Sequence, residues 1–176
     1  MSPADLMQRA RAVRLLIFDV DGVLTDGSLF YGDDGQEYKA FNSRDGHGIK
    51  MLRATGVEVA ILTGRTSQVV LHRARNLGIE RIVQGSEDKL TAYQEMLAQT
   101  GLAAEATAYM GDDIVDLPPL RRCGLALTVP EAPPEVLARA HYVTRAGAGR
   151  GAAREVAELI MRAQGTWADQ LARYDR

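Results

Sequence analysis

The sequence predicts an α/β fold in which helices cover both faces of a parallel sheet. Short apolar runs of strand length alternate with helical segments, and glycines close several of these helices. Such alternation requires right-handed crossover connections, which make neighbouring strands parallel. At 176 residues the chain fits one domain over 1–176.

The first strand, predicted over 15–18, is a run of apolar residues that ends in two carboxylates, Asp19 and Asp21. A continuous apolar run suits a strand that is buried on both faces. Successive strand side chains point to opposite sides, so the two acids begin on the same side. Two such carboxylates repel each other unless a cation or a shared proton relieves them, and Gly22 lets the backbone approach an anion. This stretch indicates a site for a metal and a negatively charged ligand.

The rest of the chain continues the alternation. Aromatic-rich runs around a Gly/Asp turn predict a β-hairpin over 28–41, directly after the first strand. A polar, glycine-punctuated loop over 41–48 follows it, and a glycine-rich arm and C-terminal helix occupy 145–176. The other predicted strands are 57–62, 81–84, 106–110, 124–129 and 142–144, and the other predicted helices are 49–55, 67–77, 90–100, 117–122, 135–140 and 152–164.

Polar residues with related chemistry follow several of these strands. Ligands of open α/β sheets bind at the carboxyl ends of the strands, so residues far apart in sequence can meet there. Carboxylate oxygens suit Mg²⁺, lysine and threonine can hold phosphate oxygens, and an aspartate can attack phosphorus. The residues in question are Asp19, Asp21, Thr63, Lys89, Asp112, Asp113 and Asp116.

These residues carry a family resemblance. Asp19-Val-Asp-Gly-Val-Leu-Thr25, Thr63, Lys89 and Gly111-Asp-Asp-Ile-Val-Asp116 resemble the four ordered motifs of the haloacid dehalogenase (HAD) phosphatases. Within that superfamily, the stretch 16–165 is similar to the family of 3-deoxy-D-manno-octulosonate 8-phosphate phosphatases, which act in lipopolysaccharide biosynthesis in Gram-negative bacteria. The motifs that narrow the resemblance are Phe41-Asn-x-Arg-Asp-Gly-x-Gly-Ile49, Leu62-Thr-Gly-Arg65, Gly111-Asp-Asp-x-x-Asp-Leu-Pro118, Tyr142-Val-Thr-Arg145 and Gly149-Arg-Gly-Ala-x-Arg-Glu155.

The resemblance implies a Rossmann-like HAD fold, Mg²⁺ as cofactor and a sugar phosphate as substrate. Asp19 would be the nucleophile and a metal ligand. Asp21 would act as general acid and then as general base, and would bind the metal through its carbonyl. Asp112 would complete the metal ligands, and Thr63 would hold the phosphoryl group with Lys89. Asp113 and Asp116 would support them, and the expected substrate-binding residues are Asp21, Asn42, Ser43, Arg44, Asp45, Gly46, Lys50, Arg65, Arg73 and Lys89.

The short connection after the first strand leaves little room for a covering domain. Only about forty positions separate Gly22 from Thr63, and the hairpin, loop and one helix occupy them, so the chain resembles the capless members. An uncovered site is wet, and the hairpin has more apolar surface than two strands can bury. Both features predict a symmetric oligomer, and the resemblance implies a homotetramer. Arg150 and Arg154 are candidates for reaching a neighbour's site.

Composition limits the other function classes. The net charge of -2 argues against broad binding to nucleic acid or anionic membranes. No stretch approaches the roughly 20 apolar residues of a membrane helix, and a cytoplasmic protein is expected.

Several alternatives stay open at this point. The substrate of the same chemistry could be a nonulosonate 9-phosphate, although Arg65 stands where those similar enzymes tend to carry Glu. A receiver-like phosphoacceptor module is a different class, but receivers place the acceptor on a later strand and lack a second Asp two residues on. Asp113 and Asp116 could be helix N-terminal acids, and Arg44, Lys50 and Arg73 could be surface charges.

Overall fold

The computed structural model describes residues 2–175. Six strands form one parallel sheet and two short strands form a separate antiparallel hairpin, which confirms the predicted α/β class with a parallel sheet. In chain order the strands are β1 (Leu15–Phe18), β2 (Phe30–Tyr31), β3 (Glu37–Tyr38), β4 (Glu58–Leu62), β5 (Arg81–Val83), β6 (Thr107–Met110), β7 (Leu125–Thr128) and β8 (Tyr142–Val143).

The order of the large sheet is β5-β4-β1-β6-β7-β8. β1 is central: it pairs with β4 on one side and with β6 on the other, with Phe18 opposite Ile61 and Met110. The chain first builds the sheet outward through β4 and β5 and then returns to add β6, so the direction of winding switches between β1 and β6. Ligand sites of open α/β sheets lie at this switch point, beyond the carboxyl ends of the strands.

The helices divide into two layers. α2 contacts α3 and α7, whereas α4 contacts α5. Right-handed crossovers explain the division, because the connections that move outward from β1 and the one that returns to β6 lie on opposite faces. The helices are α1 (Pro3–Ala12), α2 (Ser43–Arg53), α3 (Gln68–Leu77), α4 (Lys89–Thr100), α5 (Leu117–Leu120), α6 (Pro134–Leu137), α7 (Ala152–Ala163) and α8 (Trp167–Ala172).

The core lies on both sides of the central strands. Every residue of β1, β6 and β7 is buried. Each large apolar side chain removed from water in this way contributes about 1.5–3 kcal/mol. Within residues 2–175, no helix has the length and apolar character needed to cross a membrane. The rigid, buried centre of the sheet therefore fixes the strand ends that carry Asp19 and Asp112.

Helix α2 begins earlier than the sequence predicts. The expected loop over 41–48 and helix over 49–55 are replaced by one helix, Ser43–Arg53, because the Asn42 side chain accepts the first free backbone N–H groups. The glycines that suggested a loop serve close packing instead. A Cβ atom on Gly46 would lie 2.3 Å from an Arg73 nitrogen, and one on Gly48 would lie 2.7 Å from Arg154 Cδ. Glycine therefore lets α2 approach α3 and α7.

The glycine-rich segment over 145–151 lies against its own chain. The Gly149 N–H donates to the Val23 carbonyl (3.0 Å), and a Cβ atom on Gly149 would lie 2.7 Å from the Thr25 carbonyl carbon. Arg150 forms a long, exposed ion pair with Asp26 (3.7 Å). The segment is thus a compact connection to α7, and contact of Arg150 or Arg154 with a neighbour's site stays a prediction.

Candidate active site

Two carboxylates, Asp19 and Asp112, meet at the switch point between β1 and β6. Asp19 directly follows β1, and its N–H donates to the Met110 carbonyl at the end of β6 (2.9 Å). A Cβ atom on Gly22 would lie 2.0 Å from Asp112 Oδ2, and Gly22 has a φ of +85°. Both the space and the backbone conformation therefore require glycine. The loop after β1 is seated directly on Asp112.

The two carboxylates keep free oxygen atoms. Among residues 2–175, Asp19 Oδ1 and Asp112 Oδ1 are buried without a hydrogen-bond partner. Burial and then the neighbouring carboxylate charges raise the pKa of Asp19 to about 6 and that of Asp112 to about 7. A buried carboxylate without a partner is costly, and a cation relieves both the burial cost and the repulsion. Because hard divalent cations prefer oxygen ligands, this pair fits Mg²⁺.

Lys89, the first residue of α4, places a buried ammonium group beside Asp19. Its Nζ lies 2.9 Å from Asp19 Oδ2 and 2.7 Å from Asp116 Oδ1. Burial alone would lower the pKa of Lys89, but the charges of the two carboxylates outweigh it and raise the pKa. The Asp88 side chain caps the helix and fixes where it starts. Lys89 thus holds one oxygen of Asp19 and leaves the other open to a ligand.

Asp116 supports this arrangement from beneath. Its Oδ1 accepts hydrogen bonds from Lys89 and from the Tyr109 hydroxyl (2.6 Å). Its Oδ2 accepts the backbone N–H groups of Asp112 (3.0 Å) and Asp113 (3.2 Å). A carboxylate offers about four acceptor positions, and all are used. Although an Asp116 oxygen lies within 4.8 Å of oxygens of Asp19 and Asp112, we therefore assign Asp116 a supporting role rather than a metal-binding one.

Tyr109 also belongs to this network, and sequence reasoning missed it. It lies on β6 and is fully buried. The available signal was a tyrosine within a buried strand, because a buried hydroxyl needs a hydrogen-bond partner. Here that partner is Asp116, through which Tyr109 reaches the ammonium group of Lys89.

Thr63 and Asp113 complete the lining of the cleft above these carboxylates. Thr63 directly follows β4 and is only 2% exposed, and its Oγ1 accepts the Arg65 N–H (3.4 Å). Asp113 is exposed, and its side chain accepts the Ile114 N–H (2.7 Å) at the start of a short 3₁₀ turn. Asp113 thus makes the capping interaction that the sequence left open, whereas Asp116 belongs to the buried network.

Asp21 lies at the edge of the same cleft, with a cation on each carboxylate oxygen. Lys39 Nζ contacts Asp21 Oδ1, and Arg65 Nε lies 3.6 Å from Asp21 Oδ2. Both cations also reach Glu37 Oε1, at 3.2 Å from Lys39 and 3.6 Å from Arg65. The sequence analysis missed Lys39 and Glu37. The available signal was their spacing, since residues two apart on a strand share a face, opposite the exposed Tyr38.

The sequence of this chain is similar to those of known phosphatases. Residues 79–156 match the model of a haloacid dehalogenase-like hydrolase family. The chain is 50% identical over 160 residues to 3-deoxy-D-manno-octulosonate 8-phosphate phosphatase KdsC of Yersinia pestis, over 91% of this chain and 86% of that protein. The chain belongs to the KdsC family of HAD-like hydrolases. The resemblance drawn from the motifs is thereby confirmed.

Solved structures agree with membership of the KdsC family. A probable YrbI family phosphatase from Pseudomonas syringae superposes with a TM-score of 0.96 at 51% identity, over 98% of each chain. The 3-deoxy-D-manno-octulosonate 8-phosphate phosphatase of Moraxella catarrhalis superposes with a TM-score of 0.97 at 39% identity, over 98% of this chain and 99% of that chain. That structure was solved in complex with a magnesium ion, a phosphate ion and KDO.

One group of predicted substrate residues lies outside the cleft of this chain. Asn42 caps α2, and both oxygens of Asp45 accept backbone N–H groups, from Gly151 (3.1 Å) and Arg154 (2.8 Å). Burial raises the pKa of Asp45 despite these bonds. None of these residues lines the cleft that contains Asp19, within the part of the chain that the structure describes. The remaining members of the group are Ser43, Arg44 and Lys50, which are exposed, and Gly46, which is buried.

Arg73 lies with this second group. Its guanidinium carbon is 5.5 Å from the centre of the Phe41 ring, and Nη2 donates to the Asn42 carbonyl (3.0 Å). Burial lowers the pKa of Arg73, although the charge of Asp45 opposes the shift. Of the predicted sugar-acid residues, a single chain therefore brings Arg65 to the cleft, along with Asp21 and Lys89, which are also predicted to be catalytic. Substrate binding by the others stays a prediction.

Proposed function

We propose that this protein is a Mg²⁺-dependent phosphatase that hydrolyses 3-deoxy-D-manno-octulosonate 8-phosphate to the free sugar acid and phosphate. The observation that carries the proposal is the pair of buried, unpartnered oxygens on Asp19 and Asp112 beside the Lys89 ammonium group. The KdsC relative at 50% identity and the KDO-bound structure from Moraxella catarrhalis support the choice of substrate. We also propose that it acts in the cytoplasm.

The first chemical step transfers the phosphoryl group to Asp19. A carboxylate oxygen of Asp19 attacks phosphorus while the bond to the sugar C8 oxygen breaks, and Asp21 donates a proton to that leaving oxygen. Lys89 and the Thr63 hydroxyl hold the transferring oxygens, where negative charge spreads in the transition state. Asp19, Asp112 and the Asp21 carbonyl would hold Mg²⁺, which would supply the charge neutralisation that lets one anion approach another.

The second step returns Asp19 to its starting state. Asp21, now ionised, accepts a proton from a water molecule, and the water oxygen attacks phosphorus of the aspartyl-phosphate. The bond between Asp19 and phosphorus breaks, which releases phosphate and leaves Asp21 protonated for the next cycle. Asp116 keeps Lys89 in place through both steps, because its own position is fixed by four hydrogen bonds.

Recognition of the sugar acid needs a second copy of the chain in this proposal. Arg65 is the predicted substrate cation in the cleft, and its planar fork suits a carboxylate. The group of Asn42, Asp45 and Arg73 would then serve a neighbour's cleft. The hairpin supports an assembly, because Phe30 and Tyr38 are 54% and 56% exposed. We propose a homotetramer in which Asn42, Ser43, Arg44, Asp45, Gly46, Lys50 and Arg73 complete the binding of substrate.

Phosphate release tests the function directly. With Mg²⁺, the purified protein should release phosphate from 3-deoxy-D-manno-octulosonate 8-phosphate, and EDTA should stop the release until excess Mg²⁺ is added. A nonulosonate 9-phosphate and simple hexose phosphates serve as comparison substrates. A clear preference for the nonulosonate would overturn the choice of substrate. Formation of a stable phosphoprotein without turnover would instead indicate a phosphoacceptor module.

A further inference from the structure

A buried lysine connects the hairpin to the cleft. Lys39 directly follows β3, and its side chain has 0% exposure, although the neighbouring Tyr38 is 56% exposed. Its ammonium group contacts Asp21 Oδ1 and lies 3.2 Å from Glu37 Oε1. The lysine therefore passes from a largely exposed hairpin into a closed contact with two carboxylates.

Burial of an ammonium group requires compensation. A charged group loses its hydration when it is buried, and the loss is offset only by partners of opposite charge with good contacts. Asp21 Oδ1 accepts a hydrogen bond from Lys39, and Glu37 Oε1, at 3.2 Å, adds a second negative charge beside the ammonium group. Asp21 in turn gains a fixed neighbour on one of its oxygens. The contact therefore restricts the side-chain conformation of Asp21 as well as that of Lys39.

The two cations on Asp21 are not equivalent. Arg65 is 45% exposed at its side chain, lines the cleft and holds Asp21 Oδ2 only at 3.6 Å. Lys39 does not line the cleft, and its side chain has no exposed surface. Arg65, which also contacts the hydroxyl of the exposed Tyr31, has room to turn toward a substrate. The buried Lys39 side chain instead contacts Asp21 and Glu37. When a ligand draws Arg65 away, Lys39 remains as the group that holds Asp21.

We propose that Lys39 is a positioning residue, which fixes the Asp21 carboxyl group in the orientation needed for proton transfer to the leaving oxygen. Glu37 braces the ammonium group from the other side. The inference rests on the general-acid role given to Asp21 under the proposed function. It makes the hairpin part of the catalytic apparatus of its own chain, in addition to its exposed apolar face.

The nature of the leaving group separates positioning from general disruption. An alkyl oxygen leaves poorly without a proton, whereas 4-nitrophenolate leaves readily without one. The value of kcat/KM reports steps up to the departure of that group, so it isolates proton donation by Asp21. A variant that misplaces Asp21 should therefore harm the sugar phosphate much more than 4-nitrophenyl phosphate. A variant that merely loosens the fold should harm both substrates alike.

The experiment compares Lys39→Met with Lys39→Arg on both substrates. General acid catalysis contributes about 10²–10⁴-fold, so we expect Lys39→Met to lower kcat/KM about 50-fold for the sugar phosphate and less than about 5-fold for 4-nitrophenyl phosphate. Lys39→Arg keeps the charge and should recover most of the loss. Arg81→Met removes an ion pair with Glu58 (2.8 Å) on the edge strand and should leave both rates unchanged.

Asp21→Asn provides the benchmark that separates the two proposals. If Asp21→Asn shows the leaving-group difference and Lys39→Met loses both rates equally or neither, the positioning role of Lys39 is wrong while the role of Asp21 stands. If Asp21→Asn shows no difference between the substrates, the general-acid assignment fails, and the inference about Lys39 fails with it. Should Lys39→Met fold poorly, Lys39→Gln keeps polar atoms for both carboxylates and carries the same comparison.

Discussion

The cleft and the start of α7 both contain carboxylates that are at least partly buried, but the two regions supply them with hydrogen-bond donors very differently. Glu155 on α7 accepts the Tyr142 hydroxyl (2.6 Å) and the N–H groups of Arg145 (3.0 Å) and Ala146 (2.9 Å). Burial would raise the pKa of Glu155, but these hydrogen bonds outweigh it and lower the pKa. In the cleft, Asp112 keeps a buried oxygen without any partner among residues 2–175, and its pKa rises to about 7.

The contrast shows how one residue type serves two purposes. A carboxylate whose oxygens accept hydrogen bonds from N–H and O–H groups needs no further ligand, and it holds segments of the chain together. A carboxylate that is buried without donors is destabilising until a ligand arrives. The carboxylates of the cleft therefore lower the stability of the ligand-free protein but provide a binding site, whereas Glu155, which holds the turn before α7, stabilises the fold. The predictions below test this difference.

The largest effect is expected from Asp19→Asn. The amide keeps the shape of the side chain but is a poor nucleophile, so kcat should fall about 10⁴-fold or more. Without metal, the variant should be as stable as the parent or more stable, because one of the mutually repelling acids is gone. Activity assays and thermal unfolding of the same preparations measure both effects.

Glu95→Gln, at an exposed position on α4, is the control for Asp19→Asn and should change neither quantity. Retained turnover in Asp19→Asn would refute the nucleophile assignment. A large loss of stability would refute the contrast between the two regions.

A second prediction concerns pH and Mg²⁺. In the folded, metal-free protein the pKa of Asp19 is about 6 and that of Asp112 is about 7, whereas the ordinary value is 3.8. Between pH 3.8 and 7 the folded state therefore binds more protons than the unfolded state. Its stability should therefore fall as pH rises from 5 to 8, by on the order of 4 kcal/mol. Mg²⁺ requires ionised carboxylates, so the stabilisation it gives should grow over the same range.

Thermal unfolding at several pH values, with and without Mg²⁺, measures this difference. The lowered pKa of His141 also affects stability in this range, but it contributes equally to both curves and cancels in their difference. In the Asp112→Asn variant, the stabilisation by Mg²⁺ should increase with pH much less than it does in the parent protein. A stabilisation by Mg²⁺ that stays constant with pH in the parent protein would contradict the assignment of the site.

A smaller effect is expected for Tyr109→Phe, and Tyr93→Phe is a matched control. The two buried rings pack edge to face at 6.5 Å, and each hydroxyl has a side-chain partner. That of Tyr109 binds Asp116, whereas that of Tyr93 binds Thr107 away from the cleft. Each variant should lose about 1 kcal/mol of stability, but only Tyr109→Phe should also lower kcat, by about 5-fold with little change in KM. Equal kcat values in the two variants would exclude a role for Tyr109 in holding Asp116.

The smallest effect on activity is expected for Glu155→Gln. The amide can replace only part of the carboxylate's accepting capacity, so the variant should lose about 1–2 kcal/mol of stability. Its kcat should stay within about 2-fold of the parent value, because the hydrogen bonds of Glu155 go to the turn and not to the cleft. Chemical denaturation and phosphate release measure the two quantities. A fall in kcat comparable to that of Tyr109→Phe would show that the two regions are coupled.

The parts that sequence predicted well are those encoded locally. The apolar run before Asp19, the strand before Thr63 and the motif containing Asp112 each place a residue at a strand end without knowledge of the rest of the chain. The parallel topology then brings the strand ends together. The family resemblance supplied roles for these residues that the patterns alone did not contain.

The parts that sequence missed depend on contacts between distant segments. Gly46 and Gly48 read as loop residues, but they are small because α3 and α7 pack against them. Lys39 reads as the end of an exposed hairpin, and nothing local indicates that the hairpin folds its ammonium group onto Asp21. Tyr109 reads as a core residue because its hydroxyl partner lies seven positions later, beyond the strand.

The seating of Gly22 on Asp112 has a practical consequence for engineering. Any attempt to redesign this cleft for another phosphate ester by saturating the loop after β1 will waste the variants at position 22, because even one added methyl group would collide with Asp112 at 2.0 Å. A mutagenesis library is better directed at positions 31 and 65, where Tyr31 and Arg65 contact each other and are partly open to solvent.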